Sequence, residues 1–417
     1  MSISRTALAK LASQPAVAGL AITMAAIAVF ALLTPPIAFN DGLGNDGKRY
    51  ADLTQGLRGK PGDLPWGPFA YRVLPSALVA LLPFDIPTGF LVVNLASVLA
   101  TAVLLLRLLR HFGVATQVAL VALVWWLVLP MGLRWDMYYP VLGDAFGFFI
   151  LVALVICALE RRLGLFAVAL VAGALARENL LMAIPFLWRA HLRTKPIRWT
   201  VLVALVSIPA LGALLAIRAF PPVAPAAGSG SLSQATVVAQ ELALIFKNDG
   251  GQAWRVLLAA PVSLGLLLVI PLVRLRGTLR FLSREMHWMY FAGLAVLLAV
   301  IGGRDNDRYF YVLAPLLLIL TFAVHSDLWQ SWPRTVALTA VQLVALRVGW
   351  PIGTTEADYL RYATGFMDLD RLAALAVLVA FASAVAAVIV WSVGRSAPAS
   401  DQLPTLREPP RTREGSI

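Results

Sequence analysis

Residues 87–109, PTGFLVVNLASVLATAVLLLRLL, determine the fold class of this chain. The stretch holds a single charged residue, Arg107, and a helix of this length crosses the ~30 Å hydrocarbon core of a bilayer. Similar runs recur along the chain, of which 60% is hydrophobic and 13% charged. Because an open sheet would leave backbone groups unpaired in lipid, we expect an all-α, polytopic membrane helical bundle.

Apolar runs divide the chain into about ten full spans and one short helical hairpin at 163–176 and 179–188. The bundle occupies residues 15–394, after a cytoplasmic N-terminus at 1–14, and within it residues 40–86 form a first periplasmic loop with a juxtamembrane helix. Residues 395–417 are polar and Pro-rich, which is typical of a disordered tail, so no soluble C-terminal domain is expected. The spans are placed near 15–38, 87–109, 114–132, 138–159, 199–218, 254–273, 286–303, 309–325, 334–350 and 372–394.

The distribution of charge predicts the side on which each loop lies. With the N-terminus inside, 19 of the 34 basic residues and 6 of the 22 acidic residues fall on the cytoplasmic side, where Lys and Arg are normally enriched. The net charge of +12 is therefore explained by membrane topology and does not indicate nucleic-acid binding. We predict a multi-pass protein of the bacterial inner membrane, with both termini in the cytoplasm.

A polar, glycine-rich loop follows the first span at residues 40–72, NDGLGNDGKRYADLTQGLRGKPGDLPWGPFAYR. It holds Asp41, Asp46 and Asp52 among several basic residues, on the side away from the cytoplasm. After it, Tyr71 and Arg72 begin the apolar segment VLPSALVALLP, which is too short to span. The acids of this loop either balance its bases or belong to an active site.

Three further polar clusters fall on the same side. In RWDMYYPVLGDAFGFF (134–149), Pro140 suits the first turn of a helix, which places Asp144 about one turn inside the membrane boundary. In GALARENLLMAIP (173–185), Arg177 and Glu178 occupy the apex of the short hairpin, below the outer surface. In GGRDNDRYFYVLAP (302–315), two arginines share a helix face and could hold a lipid phosphate: Arg304 and Arg308.

Each cluster also has a structural alternative: an acid in the headgroup zone, an internal ion pair, or arginines that snorkel to the interface. The sequence contains no P-loop, no GxSxG, no HExxH and no Cys/His metal spacing. The single cysteine, Cys157, lies in an apolar run and supports neither a disulfide framework nor a thiolate metal site.

The order of these clusters resembles bacterial members of the glycosyltransferase C superfamily (GT-C), polytopic enzymes that use polyprenyl-phosphate sugars. The resemblance covers roughly residues 15–325. It departs from better-known members in two respects: a soluble C-terminal domain is not expected, and GLGN separates Asp41 from Asp46 where those members have a tandem acidic pair. The motifs that carry it are Asp46 with Tyr50, Arg72 before a juxtamembrane segment, Val93-Asn94-Leu95, Asp144, Ala176-Arg177-Glu178, and Asp307-Arg308-Tyr309 before Pro315.

The resemblance implies an inverting transfer of a hexosyl or pentosyl group from a polyprenyl-phosphate donor to a cell-envelope glycan or lipid acceptor, on the periplasmic side. It makes Asp46 the general base, with Asp144 the second choice. Some relatives hold a divalent cation through the first-loop acid, but nothing in this sequence requires a metal or another cofactor. The residues expected to bind substrate are Asp41, Lys48, Arg49, Tyr50, Arg72, Arg177, Glu178, Arg304, Asp307 and Arg308.

Two other classes of function compete with the transferase. A lipid-linked-sugar transporter or flippase would need polar residues through the depth of the bilayer, and the inner halves of these spans carry almost no charge. An O-antigen ligase or polymerase would rely on outer arginines and a large late loop, for which residues 219–253 are a candidate.

Overall fold

The computed structural model describes residues 14–44, 46–60, 72–187, 196–218, 251–301, 306–362 and 369–394. Every secondary-structure element in these ranges is helical, which confirms the all-α class. Nearly all of the predicted cytoplasmic N-terminus, the predicted tail and most of the 219–253 loop lie outside the described residues.

Three helices of the described chain are long and apolar enough to cross a membrane, as expected of a membrane-associated protein. Shorter apolar helices occupy most of the other predicted spans, so a total of about ten full crossings stays a prediction. The three long helices are Pro15–Leu33, Ile86–His111 and Asp370–Trp391.

The N-terminal half contains eight described helices and one 3₁₀ segment, Glu178–Phe186, which directly follows the eighth helix. The central helix, α4, packs against α1, α5 and α7. In chain order the helices are α1 (Pro15–Leu33), α2 (Gly47–Leu57), α3 (Val73–Ala80), α4 (Ile86–His111), α5 (Thr116–Leu127), α6 (Leu133–Tyr138), α7 (Asp144–Leu159) and α8 (Leu163–Ala176).

The C-terminal half contains ten described helices, several of them short and joined end to end. Between α15 and α16 lie a π-helical turn, Leu320–Val324, and a 3₁₀ turn, Ser326–Trp329. The helices are α9 (Pro196–Arg218), α10 (Gly251–Leu264), α11 (Leu266–Val273), α12 (Leu275–Arg284), α13 (Met286–Ile301), α14 (Asn306–Tyr311), α15 (Ala314–Ile319), α16 (Trp332–Ala345), α17 (Glu356–Tyr362) and α18 (Leu369–Gly394).

The described part of residues 40–86 contains two short helices, α2 and α3, and α3 lies in the segment that the sequence shows to be too short to span. α2 packs against α3. Arg58, at the end of α2, donates hydrogen bonds from Nη2 to the carbonyl oxygens of Val79, Leu82 and Phe84, at distances of 3.0, 3.1 and 2.8 Å. These carbonyls lie at and after the end of α3, where a helix leaves its last acceptors unpaired. One guanidinium therefore fixes the two helices against each other.

The prediction that Pro140 begins a helix is wrong. The helix α7 begins at Asp144, and residues 139–143 form a turn. Asn94, buried in α4, donates from Nδ2 to the carbonyl oxygens of Pro140 and Leu142, at 2.7 and 3.1 Å. Because these carbonyls bond to a side chain of another helix, the turn does not continue into a regular helix. Asp144 is consequently the first residue of its helix, and its depth relative to the membrane boundary stays a prediction.

The predicted span at 254–273 is also interrupted. Gly265 adopts a φ of 55°, in the left-handed region that glycine tolerates, and separates α10 from α11. Gln342 of α16 bridges this break. Its Oε1 accepts from the N–H of Leu266 at 2.7 Å, and its Nε2 donates to the carbonyl of Leu264 at 3.4 Å. A buried amide thus supplies the hydrogen bonds that the broken helix lacks.

Replacing Asn94 by Leu should destabilise the fold and disturb the start of α7. The substitution keeps a similar volume but leaves the carbonyls of Pro140 and Leu142 buried without their donor, which costs about 1–3 kcal/mol for each such group. We expect a clearly lower thermal unfolding midpoint in detergent. Ser97→Ala is the matched control, because the Ser97 hydroxyl bonds only within α4, to the carbonyl of Val93. An equal loss of stability in the two variants would contradict this assignment.

Candidate functional site

A small cleft opens beside the first turn of α7. Its polar lining comes from three separate parts of the chain: the start of α7, the residues that directly follow α8, and α14. The described polar side chains that line it are Asp144, Arg177, Asn179, Arg308 and Tyr311.

The carboxylate of Asp144 lies between two guanidinium groups. Arg177 donates from Nη1 to Oδ1. Arg308 places Nη2 2.8 Å from Oδ2 and 3.0 Å from Oδ1. The Asp144 side chain is only 7% exposed. The attraction of the two guanidinium charges compensates the free energy that is lost when this carboxylate is removed from water. Arg177 and Asp144 both line this cleft, whereas Glu178 is not among its described lining residues.

Arg177 and Glu178 are adjacent in sequence but bond in different directions. Arg177 turns to Asp144, whereas Glu178 forms a two-point pair with Arg72, with Nε–Oε2 at 3.0 Å and Nη2–Oε1 at 2.7 Å. Arg72 also donates from Nη1 to the hydroxyl of Tyr50 at 3.3 Å. The two side chains can point in different directions because the backbone at Arg177 is extended, between α8 and the 3₁₀ segment. Through these two ion pairs, Arg177 connects the hairpin to α7 and Glu178 connects it to the end of the first loop.

Gly147 provides the space through which Arg177 reaches Asp144. A Cβ atom at this position would lie 2.8 Å from Cδ of Arg177, closer than such atoms normally approach. Gly147 is one turn along α7 from Asp144, so both residues lie on the face that looks onto the hairpin. The absence of a side chain at Gly147 is thus a condition for the Asp144–Arg177 pair.

A second buried acid, Asp136, belongs to the same cluster and was not among the predicted site residues. It lies on α6, is 2% exposed, and is subject to the charges of Asp144, Arg308 and Arg177. Its carboxylate accepts from the backbone N–H of Ala145, in the first turn of α7, while Oδ1 has no partner among the described residues. The segment RWDMYYP contains Asp136, but the sequence does not show that these residues form a separate helix folded back onto α7.

Aromatic side chains form one wall of the cleft. The ring centroids of Phe148 and Tyr311 lie 4.5 Å apart, and Trp126 stacks on Phe148 with the ring centroids 5.8 Å apart. The hydroxyl of Tyr311 accepts from Nε1 of Trp126 at 2.8 Å, which holds the three rings in one arrangement. An apolar wall opposite a few fixed charges is typical of a small-molecule site.

The predicted base, Asp46, lies just before α2 and is half-buried. The next residue, Gly47, donates its N–H to the hydroxyl of Tyr139 at 2.8 Å, and the charge of Asp46 acts on that hydroxyl. Gly44 has a φ of 60°, and a Cβ there would lie 2.5 Å from the ring of Tyr139. The loop therefore packs closely on Tyr139. Asp46 is not among the described residues that line the cleft.

The other predicted first-loop residues divide between the site and the surface. Tyr50 is buried and bonded to Arg72, so it is part of the network that leads to the hairpin. Arg49 is half-buried, while Asp41 and Lys48 are exposed. The structure thus brings Tyr50 and Arg72 into the site and leaves Asp41 and Lys48 on the loop surface.

The late polar cluster is described in part. Asp307 is buried, and its carboxylate accepts from the N–H of Arg308 at 3.0 Å, which helps to orient α14. Arg308 then reaches Asp144. Arg304, predicted to share a helix face with Arg308, lies outside the described residues.

The cleft residues do not fit a divalent cation. Both oxygens of Asp144 face guanidinium groups, which would repel a metal ion. Across the part of the chain that the structure describes, no group of three or more His, Cys, Asp or Glu side chains is placed to hold a metal.

Comparison of the chain with protein-family models, with curated proteins and with solved structures finds no match. The GT-C resemblance therefore rests on the motifs in the sequence and stays a prediction.

Replacing Gly147 by Ala should separate Arg177 from Asp144 and lower stability. The added methyl group overlaps Arg177, and overpacking of this kind typically costs about 1–3 kcal/mol. Gly164→Ala is the matched control, because Gly164 is a helical glycine with nothing within 4 Å of its Cβ position. There the same change should be neutral or stabilising, by up to about 1 kcal/mol. Thermal unfolding in detergent measures both, and equal midpoints would refute the steric role of Gly147.

Proposed function

We propose that this chain is a membrane glycosyltransferase of the GT-C type. It transfers a sugar from a polyprenyl-phosphate donor to a cell-envelope glycan or lipid acceptor on the periplasmic face of a bacterial inner membrane. The observation that carries the proposal is the cleft in which Arg177 and Arg308 converge on one buried carboxylate, Asp144. An aromatic wall and fixed guanidinium groups suit a sugar joined to a phosphate.

In this proposal the arginines stabilise the leaving phosphate. Each guanidinium carries five N–H donors in a planar fork that matches a phosphate. Because Asp144 already holds Arg177 and Arg308 in place, little rearrangement is needed when negative charge develops on the leaving group. Arg72 is held by Glu178 beside the same hairpin and completes the proposed set.

The proposed reaction is a single displacement with inversion. A hydroxyl oxygen of the acceptor attacks the anomeric carbon of the donor sugar, and a new C–O bond forms. The bond between that carbon and the phosphate oxygen breaks, and polyprenyl phosphate leaves with the electron pair. The acceptor hydroxyl gives its proton to a carboxylate, which is Asp46 in this proposal.

Asp144 is assigned a positioning role, because its ion pairs make it a poor base. A carboxylate that accepts bonds from two guanidinium groups is stabilised in its charged form and therefore takes up a proton less readily. Asp46 keeps a half-exposed side chain on the loop next to Tyr139, where an acceptor could approach from the aqueous side. The two acids that the sequence singles out thus receive different roles.

The substitution Asp46→Asn should lower turnover by about 10²-fold or more while leaving donor binding intact, because it removes the proton acceptor and keeps the shape. Asp144→Asn should mainly weaken donor binding, because Arg177 and Arg308 lose the charge that holds them. The assay uses the full chain in nanodiscs with a panel of synthetic polyprenyl-phosphate sugars. Turnover is measured by product formation, and donor binding by retention of radiolabelled polyprenyl phosphate.

Asp52→Asn is the control on the same short helix and should leave turnover within about twofold of the unmodified protein. If Asp46→Asn is fully active and Asp136→Asn is not, the base is Asp136. If polyprenyl phosphate binds but none of the sugars is transferred, and the chain instead moves the lipid across the bilayer, the transferase proposal is wrong and the transporter class replaces it.

A further inference from the structure

A second cleft is lined in part by Arg134 of α6, the short helix that precedes the turn before α7. It is formed by the turn that follows α16, by α17 and by the start of α18. The ring of Tyr359, in α17, lies 5.9 Å from the rings of Trp135 and Tyr139, which ties this region to the turn before α7. The charged described residues that line the cleft are Arg134, Arg347, Arg361, Arg371 and Asp358.

Two of these arginines belong to the folded interior. Arg134 donates from Nη1 to the carbonyl of Arg347 at 3.0 Å and from Nη2 to the carbonyl of Trp350. Both Arg134 and Arg347 are buried, and Arg347 has a φ of 56° in the turn after α16. The inner part of the cleft therefore carries two buried positive charges, and two backbone carbonyls fix the guanidinium of Arg134.

The other two arginines are exposed at its opening. Arg361 is the next-to-last residue of α17, and Arg371 lies in the first turn of α18. The single acid, Asp358, accepts from the N–H and hydroxyl of Thr355 at 3.2 and 2.7 Å. These hydrogen bonds, and then the charges of Arg361 and Arg371, lower the pKa of Asp358, so it stays charged at neutral pH. One carboxylate faces four guanidinium groups, which leaves an excess of positive charge.

The surroundings of the cleft are those of a membrane boundary. Trp350, which lines it, is 54% exposed, and tryptophan is enriched where lipid headgroups meet water. From Arg371 the helix α18 continues as one of the three long apolar helices, with Val377 68% and Phe381 70% exposed. A lipid whose phosphate binds in the cleft would therefore have its acyl chains in contact with the exposed apolar side of α18.

We infer that this second cleft binds the phosphate of an anionic membrane lipid. Arginine forks recognise phosphate by paired, charge-assisted hydrogen bonds, and the cleft has two buried arginines inside and two exposed arginines at its opening. The site is separate from the Asp144 cleft, with which it shares no described lining residue. It does not depend on the proposed sugar transfer.

The test compares lipid binding by the full chain and by the double variant Arg361→Gln, Arg371→Gln. Purified protein in detergent is titrated with dioleoyl phosphatidylglycerol, and bound lipid is counted by native mass spectrometry. Dioleoylglycerol has the same chains without phosphate and serves as the ligand control. We expect one phosphatidylglycerol to bind tightly, with affinity lowered roughly tenfold or more in the double variant, as for the loss of a charge-assisted hydrogen bond. Folding should be retained, because both arginines are exposed.

Arg110→Gln with Arg161→Gln is the matched control, since both side chains are exposed and the change in net charge is the same. Retained binding in this control supports a specific site. Equal losses in the two double variants would show general attraction between charges and would overturn the inference, as would equal binding of dioleoylglycerol. If millimolar inorganic phosphate displaces the lipid completely, the cleft recognises soluble phosphate and the lipid assignment is wrong.

Discussion

The buried charge of Asp144 is the constraint on which the site depends. A carboxylate removed from water is unfavourable by several kcal/mol unless opposite charges meet it, and here Arg177 and Arg308 do so. Each partner comes from a different part of the chain, the hairpin after α8 and the helix α14. The ion pairs of Asp144 therefore bring together α7 and α14, which are more than a hundred residues apart in sequence. The cleft is the space between these segments.

The neighbouring residues can be understood as support for this cluster. Asn94 holds the turn before Asp144, Asp136 accepts from the first turn of α7, and Gly147 leaves room for Arg177. The pair of Arg72 and Glu178 then connects the hairpin to the first loop. Since truncating one member of a buried ion pair leaves the other uncompensated, typically at about 3–5 kcal/mol, these contacts depend on one another.

The two clefts place arginine in different electrostatic settings. Around Asp144 the guanidinium groups are largely neutralised by carboxylates, which suits a site that must bind and release charged groups. Around Arg134 and Arg347 the positive charge exceeds the negative, and the exposed helix α18 begins at the opening. The first arrangement favours positioning for chemistry, and the second favours retention of an anionic ligand.

The sequence by itself determined the all-helical class, the membrane character and the approximate place of most helices, because long apolar runs permit few other structures. It also singled out Asp144, Arg177 and Arg308, since charges within apolar runs need a compensating environment. The tertiary structure decided how they pair. Arg177 bonds to Asp144 and not to its neighbour Glu178, and the buried Asp136 joins them. Pairing between distant segments depends on packing and on side-chain hydrogen bonds across helices, such as that of Asn94 to the 139–143 turn, and a linear pattern does not contain this information.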